Sequence, residues 1–158
     1  MRLTWTRLGV LVFALALVLG AAGVASAQEQ AAPAKKDLAF QNDAAVIIFY
    51  IKPDKTADFE ELMTKLKDGM AKMEAPEVKQ QMASMKLFKT AVPAGAPYAT
   101  YFLIADPVVK NTEYWVMSLL YKAYPNDTQA LFAKWQDVKA ATPAQPSLFD
   151  LTQVFKFQ

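Results

Sequence analysis

Residues 44–67 read AAVIIFYIKPDKTADFEELMTKLK, and this stretch decides the fold. From Ala44 to Ile51 the run is rich in β-branched and aromatic residues, apolar at consecutive positions, and it stops at Lys52-Pro53. That pattern predicts a strand with both faces covered. Pro53 then suits a first helical turn, and Asp54 and Asp58 suit the positive end of a helix dipole. Phe59, Leu62, Met63, Leu66, Met70 and Met73 recur at the spacings of one helical face, so an amphipathic helix follows the strand. Gly69 lies within that face and predicts a close approach to the sheet.

Reading on from the helix, Val78, Met82 and Met85 suggest a short second helical piece after Ala75-Pro76. Residues 86–91 form a short strand candidate, 93–97 a Pro/Gly turn, and 98–105 an apolar third strand that halts at Asp106-Pro107. Residues 112–124 read as a helix. Pro125-Asn126-Asp127 breaks it and offers caps for the next, in which Leu131, Trp135 and Val138 share a face with Phe132 beside them. The closing SLFDLTQVFKF, residues 147–157, alternates apolar and polar residues as a fourth strand does. The order predicts an α+β domain over 44–158: a ferredoxin-like βαββαβ fold, with a four-stranded antiparallel sheet and helices on one face. Two helices cover one face of such a sheet, yet the first and third strands are apolar on both. A second copy of the same sheet supplies the missing cover, which predicts a homodimer through the sheet face.

Upstream, Arg2 and Arg7 precede an uncharged apolar run and then small residues ending Ala25-Ser26-Ala27. This is the pattern of an export leader over 1–27, placing the domain in the periplasm or outside the cell. The alternative is a retained membrane anchor; either way the membrane enters only through the leader. Residues 28–43, polar and Ala-rich, read as a flexible tether. Both arginines lie in the leader, so the remaining lysines balance the 15 acidic residues. A neutral, arginine-free domain lacks the cationic surplus of a nucleic-acid binder. The chain has no His and no Cys. Disulfide staples are therefore excluded, and after cleavage the usual imidazole, thiolate and guanidinium groups of catalysis are missing.

The element order, residues 45–67 and the closing strand resemble the dimeric α/β barrel superfamily over about residues 44–157. That group includes cofactor-free monooxygenases of the antibiotic-biosynthesis type. The resemblance implies a pairing of sheets and no cofactor, and it leaves activity open, because the superfamily hosts oxygenases, haem-handling enzymes and proteins without known activity. Its haem-handling members commonly rely on His, which this chain lacks.

Asp54, Asp58 and Glu61 share a helical face, but without His, Cys or a calcium-loop pattern they read as surface charges, and no metal is expected. Asp106, Glu113 and Asp127 fit turns and caps, and Asn126-Asp127-Thr128 fits a helix cap better than a glycosylation site. The Met series 63, 70, 73, 82 and 85 reads as core packing ahead of a soft-metal site or a pliant binding surface. The aromatics are the functional lead. Tyr50, Tyr101, Tyr114, Trp115, Tyr121 and Trp135, with Tyr98 and Tyr124 nearby, converge between sheet and helices, where they either fill the core and a dimer seam or line a pocket for a small apolar or aromatic ligand. Three functions follow: a non-catalytic exported dimer binding such a ligand, a cofactor-independent monooxygenase, and a structural or partner-binding module of the envelope.

Overall fold

The computed structural model describes residues 38–157; the leader over 1–27 and most of the tether lie outside them. Strand β1 spans Ala44–Ile51, and its side chains alternate between buried and half-buried along its whole length. After a 3-10 turn at Pro53–Lys55 comes helix α1, Thr56–Ala71, which buries Phe59, Leu62, Met63, Leu66 and Met70. Helix α2 is Pro76–Ser84, β2 is Met85–Lys89 and β3 is Ala99–Ala105. Helices α3, Val116–Ala123, and α4, Thr128–Val138, precede β4, Ser147–Leu151.

The sheet order is β2-β3-β1-β4, with every neighbouring pair antiparallel. This is an α+β architecture of four strands and four helices, compatible with a ferredoxin-like fold. Among the described residues, no helix is long and apolar enough to cross a membrane.

The register separates the two faces. Ile47 faces Leu103 and Phe49 faces Tyr101 on the helix side, where all four are buried. Phe59 of α1 packs at 4.6 Å from the Tyr101 ring and 5.4 Å from Phe49, and Trp135 of α4 stands edge-on to Phe49 at 5.8 Å. Val46, Ile48 and Tyr50 point the other way, beside Ile104, Phe102 and Thr100. Among the described residues no helix covers that second face, and these six side chains are half-buried.

Several elements depart from the sequence reading, each for a local reason. The fourth strand ends at Leu151 instead of running to 157, because its partner β1 begins at Ala44, opposite Leu151. Residues 152–157 continue without a strand partner. Helix α3 begins at Val116 instead of 112, since Glu113 Oε1 accepts from the Leu38 and Trp115 N–H groups and holds the approach in an extended path. Asp127 does not cap α4 with its side chain; it pairs with Lys65 at 2.8 Å. Met85 opens β2 instead of closing α2. Gly69 marks a close approach to α3, not to the sheet: a Cβ there would lie 2.6 Å from Ala123 Cβ and 2.8 Å from Tyr124 Cε2.

The segment read as a tether overlaps the domain over 38–43. Phe40 is buried against Tyr114 at 5.3 Å between ring centroids. Gln41 and Asn42 both donate their N–H groups to the Asp150 carboxylate at 3.0 Å, so this strap is fastened to β4.

Candidate functional site

The six aromatic residues singled out in the sequence do not gather at one place. Tyr101, Trp115 and Trp135 do come together, joined by Phe49 and Phe59. Trp115 stands edge-on to Trp135 at 5.8 Å, and Phe59 lies 6.4 Å from Trp135. Rings at these separations fill the space between sheet and helices with one another. Tyr114 sits apart under Phe40, and its hydroxyl accepts from the Val109 N–H at 2.8 Å. Tyr121 is half-buried on α3, and burial pushes its phenol above the ordinary range. Tyr50 lies on the opposite face of the sheet, hydrogen-bonded to Ser147 at 3.0 Å and edge-on to Tyr98.

The open space lies elsewhere. A groove of about 400 Å³ runs between α1 and the edge strand β2. Met63, Leu66 and Met70 of α1 form one wall. Met82 and Met85 close one end, and Leu87 with Leu103 forms the sheet side. The groove exists because β2 is the outermost strand: Leu87 points to the helix side, yet it is 37% exposed there. Met82 and Met85, half-buried, thus face a cleft open to solvent, while Met63 and Met70 are core residues whose outer edge forms its wall.

At the other end of the groove the sequence places a polar cluster that composition and periodicity did not reveal. Tyr101 donates its hydroxyl to Glu60 Oε1 at 2.7 Å, and Lys89 Nζ approaches the same oxygen at 2.9 Å. The signal was faint: Glu60 sits on the exposed flank of α1, and only the β2–β3 register, which pairs Lys89 with Tyr101, brings the three together. The Tyr101 hydroxyl, followed by the Lys89 ammonium, holds the Glu60 carboxyl below its ordinary range. Its carboxylate bond to Glu60 in turn raises Lys89. Burial, then the bond to Glu60, raises Tyr101. Each group is thereby fixed in its resting charge state, the reverse of what proton transfer near neutrality requires.

The acidic face of α1 is met by lysines. Lys134 lies 2.6 Å from Glu61 and 3.9 Å from Asp58, while Lys55 bridges Asp58 and Asp137. Among the described residues there is no cluster of three His, Cys, Asp or Glu side chains suited to a metal.

The open sheet face is the other candidate surface. Phe88 sits beside Phe102, Phe102 beside Ile48, Ile104 beside Val46, and Val46 beside Phe149, with Leu151 at the far corner. Phe88, Phe149 and Leu151 are 49%, 47% and 42% exposed. Lys86 is the one charged side chain that the strands place on this face. No family, curated protein or solved structure matches this chain.

Proposed function

We propose that the protein is a non-catalytic, exported module of ferredoxin-like fold that works as a homodimer, its two copies packed sheet to sheet. The open apolar face carries this reading. A four-stranded sheet of this size would present about 800 Å² to a partner, the scale of a stable interface, and soluble monomers rarely leave so contiguous an apolar patch uncovered. Its centre is formed by Val46, Ile48, Phe102 and Ile104, with Lys86 at one corner of the sheet. Charge at the rim and apolar residues at the centre is the anatomy of a protein interface. A two-fold axis through the centre sets the same patch against itself.

The tail beyond β4 adds further exposed apolar side chains. Phe155 and Phe157 are 63% and 92% exposed and stack edge-on at 4.7 Å. The absence of His and Cys from the chain, together with the locked Glu60–Tyr101–Lys89 cluster, favours a binding role over an acid–base or thiol reaction.

Light scattering on the purified protein tests the assembly. A mass of two chains at about 10 μM is expected, and a monomer at that concentration would overturn the reading. Phe88→Lys with Phe149→Lys, both at exposed strand positions, should yield a folded monomer.

A further inference from the structure

We propose that the groove between α1 and β2 is a binding site for an amphipathic anion, an acyl chain lying along the methionines with its carboxylate on Lys67. Three observations support this, and none depends on the dimer, since the groove opens on the helix side of the sheet.

The walls suit a chain better than a ring. The residues facing the groove include no Phe, Tyr or Trp, so an aromatic ligand would find no stacking partner. Met63, Met70, Met82 and Met85 instead present unbranched, polarisable side chains that re-pack around an irregular apolar body. A volume of about 400 Å³ falls in the range of small-molecule sites, and Met63 to Met70 spans about 10 Å of helix, a length matched to an extended chain.

The rim selects the sign of the head group. Glu60, Thr64 and Lys67 border the groove along one side of α1. Glu60 is already met by Lys89 and Tyr101 at 2.9 and 2.7 Å, and the Thr64 hydroxyl donates to the Glu60 carbonyl at 2.9 Å. Lys67 is different. Among the described residues it has no ion-pair partner, a condition it shares with several surface lysines, but of these it is the one that lines the groove. It is exposed at the mouth of the cleft, a free cation beside an apolar trough. An ammonium in that position pairs with a carboxylate while the attached chain leaves water.

Edge geometry supplies the opening. Leu87 would be core in a central strand; in the edge strand β2 it is left partly exposed across the groove from α1, and its side chain is apolar area for a ligand to cover.

The test is titration of the protein, labelled with ¹³C-methyl methionine, with dodecanoate below its micellar range. The methyl signals of Met63, Met70, Met82 and Met85 should shift, while Met117, buried in α3, stays in place. Dodecyltrimethylammonium, the same chain with the opposite charge, should bind about tenfold more weakly, and Lys67→Gln should erase that preference. Leu87→Gln, at an exposed strand position, should abolish binding with the circular dichroism unchanged. Silent groove methyls, a Met117 shift as large as theirs, or a cationic amphiphile bound as tightly as the anionic one would each overturn the proposal. Light scattering of the same samples reports the dimer separately, so failure of one reading leaves the other standing.

Discussion

Tyr101, on the central strand β3, donates its hydroxyl to Glu60 of α1 at 2.7 Å, while its ring packs 4.6 Å from Phe59 of the same helix. One side chain thus fixes α1 to the sheet through both an apolar and a polar contact. Tyr101→Phe keeps the packing and removes the donor. Because Glu60 is exposed and can rebind water, the expected loss is below the usual range for a bond to a charged group, about 1 kcal/mol in chemical denaturation.

The pH dependence of that contact follows from the carboxylate. Glu60 titrates lower in the folded chain than in the unfolded one, so its contribution is full at neutral pH and disappears as the pH falls through the folded value, below the ordinary carboxylate range. Lys89, raised above its ordinary value, contributes up to the ordinary lysine range and loses that contribution as the pH rises through its folded value. Melting curves of the protein and of Glu60→Gln should therefore differ at neutrality and converge in acid. A constant difference into strong acid would mean that the ion pair contributes nothing.

Gly69 permits α1 and α3 to touch. In an open helix, Gly→Ala is stabilising by about 1 kcal/mol. Here the added methyl would stand 2.6 Å from Ala123 Cβ, so the helices must part, and Gly69→Ala should destabilise by about 1–3 kcal/mol. A lower melting temperature checks the sign, which helix propensity alone would put the other way.

The tail is the most exposed apolar segment described. Truncation after Gln153 leaves β4 and the bond from the Gln153 N–H to Asp43 in place, while removing Val154, Phe155 and Phe157. The truncated chain should fold as before and dimerise about tenfold more weakly by sedimentation equilibrium. An unchanged dissociation constant would place the tail outside the interface.

The first strand and helix were legible in the sequence because their patterns are local: a run of adjacent apolar residues from Val46 to Ile51, then a 3.6-residue period from Phe59 to Met70. The order of elements followed from such runs and from Pro-marked breaks. What could not be read was set by long-range register. Nothing in 147–157 says that β1 begins at Ala44 and leaves Thr152 onward unpaired. The groove was hidden for a similar reason: Met63 and Met70 carry the period of core residues and are buried as such, and only the edge position of β2 leaves a cleft beside them. The aromatics admitted two readings. Phenol and indole rings suit a ligand pocket and a packed interior equally, and Phe49 and Phe59 are the neighbours that pack among them.

The Asp150 carboxylate, by receiving both Gln41 and Asn42, ties the point where the chain enters the domain to its last strand. That strand has a single neighbour and is short, so it is the part of the sheet most easily lifted. When it lifts, Gln41 and Asn42 lose this tie at the same moment, while Phe40 stays beside Tyr114 through the bonds of Leu38 to Glu113 and Tyr114. The amide protons of Gln41 and Asn42 should therefore exchange with solvent together with those of β4, a seam that opens from both sides at once.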